Sequence, residues 1–200
     1  MLTRRDRKKQ QTKAALMSAA LRLADERGLD HVTVEEISEA ADVSPRTFFN
    51  YFATKDDAII GEQIADGPSV CDRLLAVPAE VPLIPAMLEA LAPEIQQFQA
   101  DREIWLLRMR VIKNNPSLLP LLVARGGIAE RESAGAIATR LGLPADDYFA
   151  LLAATLTGTA VRAAMMRWAD SEGHDDLPQL VREAFGVLAE GLNTQRKKGD

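Results

Sequence analysis

Residues 33–55 read Thr33-Val34-Glu35-Glu36-Ile37-Ser38-Glu39-Ala40-Ala41-Asp42-Val43-Ser44-Pro45-Arg46-Thr47-Phe48-Phe49-Asn50-Tyr51-Phe52-Ala53-Thr54-Lys55. This stretch holds three helix starts in close succession. Thr33 and Glu36 have capping-box spacing: the Thr oxygen accepts a backbone N–H near residue 36 while Glu36 reaches back. Ser44 caps a second helix, with Pro45 at its first position, where a missing N–H costs nothing. Thr54 opens a third, with Asp56 and Asp57 at the positive end of the helix dipole. The spacing predicts helices over 34–41 and 45–51, joined by Asp42-Val43-Ser44, and a third from 55 to about Asp66. Ahead of them, Leu16, Ala20 and Leu23 form one apolar stripe at helical period, predicting a helix over 12–27 that Gly28 stops. A longer helix followed by two short ones on a tight turn is a helix-turn-helix.

The side chains left outward on the second short helix suit a DNA groove. Val43, Phe48 and Phe52, with Ile37 and Leu16, are spaced to face the core. Arg46, Thr47, Asn50 and Tyr51 fall on other sides, with Phe49 at the margin. An Arg bridges O6 and N7 of guanine, an Asn bridges N6 and N7 of adenine, and a Thr methyl or Phe edge meets a thymine methyl. Ser44, Thr33 and Lys55 stand at helix starts where phosphate is attracted, and the Tyr51 hydroxyl can donate to one. The competing reading is ordinary surface residues of a small helical bundle.

The charge distribution adds to this. The chain has 24 basic and 29 acidic side chains in 200 residues, a net −5 that by itself argues against a uniformly basic nucleic-acid binder. Residues 1–13 nevertheless carry six basic side chains, Arg4, Arg5 and Lys8 and Lys9 among them, against one acidic one. A basic arm on an acidic body fits contact with a polyanion, along the backbone or in the minor groove.

Other classes are excluded or disfavoured. One cysteine, Cys71, rules out an intramolecular disulfide framework and a Cys-based zinc site. His31 and His174 lack ligand spacing, and no metal or cofactor is expected. No phosphate-binding Gly loop or nucleophile elbow is present, which weighs against an all-α enzyme. The charged N-terminus has no signal-peptide core, and the most apolar stretch, Phe149–Met166, carries Arg162 near its end. No membrane partner is expected, and a cytoplasmic location is. Ala and Leu together make 28% of the chain, favouring helix.

Gly67-Pro68 and the Pro-rich 76–85 stretch place a functional boundary near 67, giving domains 1–66 and 67–200. Beyond it the pattern predicts helices at about 83–99, 102–114, 117–141, 146–170 and 178–193, with Gly126-Gly127 as a candidate kink.

The 33–55 run strongly resembles the DNA-binding region of TetR-family transcriptional regulators, over roughly residues 12–62. The phrase Arg46–Phe52 resembles a branch that includes mycofactocin-system regulators. Two positions depart from the usual pattern: Asp42 stands where Gly is common, and Phe49 where Tyr is frequent. The resemblance implies an all-α fold of about nine helices. A three-helix helix-turn-helix domain would precede a larger helical ligand-binding and dimerisation domain. It also implies a homodimer that binds double-stranded operator DNA as a repressor and is released by a small molecule. A helical interaction module that no longer binds DNA is the remaining alternative, against which the intact set Arg46, Thr47, Asn50, Tyr51 and Lys55 speaks.

For the effector, expected to be apolar or acyl-type, the candidate pocket residues are Phe98, Trp105, Met109, Leu122, Tyr148, Leu152 and Met166. Plain core packing is the equal alternative for each. Arg108 and Arg110 are candidates for an acidic head group, with solvent exposure the default reading. A helix apolar nearly all round must be buried on more than one face. By the family resemblance, the last two helices form the dimer interface, through Ala153, Thr157, Ala160, Ala164, Leu180, Ala184, Val187 and Leu188.

Overall fold

Side-chain caps set five of the helix starts in the computed structural model, which describes residues 4–61 and 68–191, with the backbone alone for 4–6. Ten α-helices and two short 3-10 turns, and no strand, are present among the described residues. They are α1 (Arg4–Arg27), α2 (Val34–Ala40), α3 (Pro45–Phe49), α4 (Lys55–Ile60) and α5 (Val70–Ala76), then α6 (Leu83–Ala100), α7 (Arg102–Asn114), α8 (Leu119–Leu141), α9 (Tyr148–Asp170) and α10 (Leu177–Glu190).

The expected count of about nine falls one short, because α5 follows the Gly67-Pro68 break. Its start carries a full capping box. Ser69 Oγ accepts from the Asp72 N–H at 3.1 Å, and Asp72 accepts the Ser69 N–H at 3.0 Å. Three further boundaries differ. α1 begins at Arg4 rather than 12, because no breaker interrupts a run of Arg, Lys and Gln, all good helix formers. α3 closes at Phe49, so Asn50 and Tyr51 lie in the turn that follows. α4 stops at Ile60, where Gly61 takes φ +67°, and the rest of the expected span, 62–66, lies outside the described residues. α8 runs through Gly126-Gly127 without a break in the helix.

Residues 4–61 together with Glu103–Val123 form one compact unit. Its centre is Leu16, Ala20, Leu21, Ile37, Phe48, Ala58, Ile59, Val111 and Leu118, all shielded from solvent. α1 packs on α2 and α4, and α2 packs on α3. Membership of this unit is not contiguous in sequence, since Val111 of α7 and Leu118 fill its core.

Residues 68–102 with residues 124–191 form the second unit. α10 packs against α9 and α6, and α5 against α6. Trp168, Phe185, Leu74, Ile137 and Leu177 are its fully buried large side chains. Two arginines tie its loops. Arg140 donates to four carbonyls, those of Leu74, Val77, Pro78 and Val81, at 2.6–3.1 Å. Arg73 pairs with buried Glu94 and donates through Nε to the Ala90 carbonyl at 2.7 Å.

α9 is long and apolar enough to cross a membrane, with a mean hydropathy of 1.4 over its best window. One of its faces, Ala150, Ala154, Thr157, Ala160, Ala164 and Trp168, is buried within its own unit. The Thr157 hydroxyl is satisfied there by the carbonyls of Ala153 and Ala154 at 2.8 and 3.1 Å.

Candidate nucleic-acid interface

The turn between α2 and α3 is fixed by backbone bonds that only a left-handed residue permits. Asp42 has φ +54°. The Val43 N–H then reaches the Ser38 carbonyl at 2.9 Å, and the Asp42 N–H reaches Glu39 at 3.0 Å. This is the Schellman arrangement, usually closed by glycine. Asp takes the conformation at lower cost than most residues, so the departure from Gly leaves the turn intact.

Ser44 then starts α3. Its Oγ accepts the Thr47 N–H at 3.2 Å, and the two hydroxyls sit 2.9 Å apart. Phe48 is fully buried, and Phe52 beside it is nearly so. Their anchoring decides what remains outside. Arg46, Phe49 and Asn50 are exposed, with Phe49 58% accessible and edge-on to Phe48. Thr47 and Tyr51 are half-buried, and Tyr51 packs on the first unit's core. One guanidinium and one aromatic edge thus stand on a five-residue helix, with one carboxamide in the turn just after it and Ser44 exposed at its start. These groups carry the donors, acceptors and apolar contact that base edges in a major groove require.

The surrounding cations and caps are more committed than the sequence suggests. Lys55 is half-buried, and its ammonium donates to the carbonyls of Leu29 and Val32 at 2.8 and 3.0 Å. Thr33 is exposed, but its hydroxyl and N–H both bond Glu36. Those bonds, with Arg27 alongside at 3.0 Å, hold the Glu36 carboxyl below its usual range. A phosphate at Thr33 would therefore have to share it with an ionised Glu36.

The basic run is not an extended arm from Arg4 onward but the first turns of α1. Lys8 and Lys9 are exposed on it, with the Thr12 hydroxyl bonded back to the Lys8 carbonyl at 3.0 Å. The side chains of Arg4 and Arg5 lie outside the described residues. Lys13, further along, stands 5.9 Å from the centroid of Phe52.

The expected pocket residues divide between the two units. Trp105, Met109 and Leu122 are half-buried in the first unit. Phe98 is buried in the second, where Tyr148, Leu152 and Met166 are exposed, Tyr148 to 74%. The expected interface set also divides. Thr157, Ala160 and Ala164 are buried in their own chain rather than outward. Ala153, Leu180, Ala184 and Leu188 are half-buried, and Val187 is exposed. The cause is the size of the side chains on α9. Its small residues admit close helix packing within the unit. Phe149, Leu152, Leu156, Thr159, Ala163 and Met166, which recur at helical period, form an exposed stripe.

Arg108 was expected at the surface and is only 4% exposed. A signal for this exists in the sequence: Ile104, Trp105, Val111 and Ile112 stand three and four positions away on either side, so Arg108 lies on the apolar face of α7. Arg110 is exposed and pairs with Asp25 at 3.0 Å. Among the described residues no cluster of His, Cys, Asp and Glu could hold a metal ion.

Residues 16–58 match the family described as bacterial regulatory proteins, tetR family, and residues 81–193 match the MftR C-terminal domain. The HTH-type transcriptional regulator TcmR of Streptomyces glaucescens is 32% identical over 151 residues, covering 72% of this chain and 67% of that protein. FadR of Thermus thermophilus is a TetR-family transcriptional repressor solved in complex with lauroyl-CoA. It shares the fold at a TM-score of 0.52 and 18% identity, covering 94% of this chain and 98% of that one. The fatty acid degradation regulator FadR of Bacillus halodurans does so at 0.57 and 17%, covering 92% and 97%.

Proposed function

The chain belongs to the TetR family of bacterial transcriptional regulators, and from that premise we propose a homodimeric repressor that a largely apolar, acyl-type small molecule releases from its operator. The chain is a DNA-binding regulator and not an enzyme. The carrying observation is the exposure of Arg46 and Phe49 on α3 and of Asn50 just after it, behind a turn locked by Asp42 and Ser44. On this reading residues 1–66 serve DNA and 67–200 serve effector binding and dimerisation, in the cytoplasm.

Each subunit places α3 in a major groove. A two-fold axis sets the half-sites roughly 34–36 Å apart. The exposed stripe of α9 and the outward side of α10 supply a self-complementary surface for a second copy. The lauroyl-CoA bound by the Thermus thermophilus protein supports an acyl effector here. Such a molecule weakens DNA binding only through its different affinity for the bound and released conformations.

Gel retardation with DNA from upstream of the chain's own coding region tests this. One fragment should be retained over competitor DNA, with affinity falling steeply as salt rises. An absence of preference for any fragment at low salt would contradict the proposal.

A further inference from the structure

Arg108 is a buried cation with most of its hydrogen-bonding capacity unspent. A guanidinium carries five N–H donors. Here Nε donates to the Ile59 carbonyl at 3.0 Å, and the plane lies over Trp105, 4.4 Å from the ring centroid. Among the described residues no carboxylate stands within ion-pair distance of it. Two half-buried arginines are better supplied: Arg73 has Glu94, and Arg140 has four carbonyls. Burial pulls the Arg108 guanidinium down from its ordinary value to about 10. A buried cation lacking an anion is costly, and the cost is relieved by bringing one in.

We propose that Arg108 receives the anionic head group of an otherwise apolar effector, and that this anion competes with the Ile59 carbonyl for the guanidinium. The surroundings suit such a molecule. Ile104, Trp105 and Ile112 are half-buried apolar side chains on the same side of α7. Gly61 leaves room for the guanidinium tip: a Cβ there would lie 2.9 Å from Arg108 Nη2 and 2.6 Å from Met17 Cε. Carboxylate and phosphate both match the guanidinium fork.

The Ile59 carbonyl lies in the last turn of α4. α4 packs on α1 beneath the helix-turn-helix. An anion that draws Arg108 away therefore removes a tie on the DNA-binding unit, which gives the differential interaction that an effector needs. That consequence rests on the regulator reading, whereas the anion site itself does not.

Calorimetric titration with dodecanoate, lauroyl-CoA and dodecan-1-ol separates the possibilities. The wild-type protein should bind at least one anionic probe more tightly than the alcohol. Dodecanoate alone would identify a carboxylate as the source, and lauroyl-CoA alone its phosphates. Arg108→Met should weaken the anionic probe by roughly 10- to 100-fold, the scale of hydrogen bonds to a charged group, and leave the alcohol unmoved. Arg108→Lys, which keeps the charge without the fork, should fall between and serves if the Met variant does not fold. Equal losses for anion and alcohol, or no binding of either anion by wild type, would overturn the proposal. A wild-type protein that ignores DNA but discriminates anion from alcohol would remove the regulator reading and leave this site standing.

Discussion

The Lys55 ammonium lies 3.0 Å from the carbonyl oxygen of Val32 and donates to it. With its second bond to Leu29, it bolts the start of α4 to the loop that precedes α2. Two of its three N–H donors are spent inside the protein, and one is left for a phosphate. A residue that reads as a phosphate contact in the sequence is thus also a strut of the DNA-binding unit.

Lys55→Met should therefore weaken binding to every DNA sequence and also destabilise the free protein. The side chain is half-buried, so solvent screening brings the loss below the usual range for charged hydrogen bonds, to about 1 kcal/mol. For a chain of this size that is a fall of roughly 2–4 °C in thermal midpoint. An unchanged midpoint with weakened DNA binding would show a phosphate role alone.

Asp42→Gly should stabilise the turn. Asp42 holds φ +54°, which glycine adopts without a Cβ penalty. The gain expected is about 0.5–1 kcal/mol, reduced by the greater freedom of the unfolded glycine chain. Urea denaturation checks it, and a loss of stability would show that the Asp42 side chain contributes contacts beyond the backbone turn.

The legible parts of this fold are those decided within a few residues. The caps at Thr33, Ser44 and Thr54 were readable because side chain and backbone meet three residues apart. Ser69 and Asp72 carry the same signal, but the neighbouring Gly67-Pro68 reads as a break and hides the start of α5. Other features depend on partners distant in sequence. Lys55 bonds carbonyls 23 and 26 positions away, and Arg108 bonds one 49 away. The two faces of α9 were ambiguous for another reason. Thr157 is polar yet faces inward, because its hydroxyl is satisfied by its own helix.

Base-reading and backbone-holding residues should separate in binding assays. Arg46→Ala should relax preference at one operator position, by about 1–3 kcal/mol of discrimination. Lys9→Ala, on the exposed side of α1, should weaken all sequences alike and reduce the salt slope by about one ion. Matching profiles for the two variants across an operator library would refute the division.

The stripe Phe149, Leu152 and Leu156 should hold two copies together. Sedimentation equilibrium is expected to show a wild-type dimer, and Leu156→Asp a monomer with unchanged helical content. Leu156 is exposed in the single chain, so a charge there costs the isolated subunit little. A monomeric wild type, or a variant that still dimerises, would contradict the interface.

Hydroxyl-radical footprinting on the operator fragment tests the central claim most directly. Two copies of α3 on a two-fold axis predict two symmetric patches of protection, with centres one helical turn apart, roughly 34–36 Å. Arg46→Ala should weaken both patches together. Uniform cleavage at saturating protein, or protection that persists unchanged in a variant with Arg46, Phe49 and Asn50 all replaced by alanine, would contradict the account.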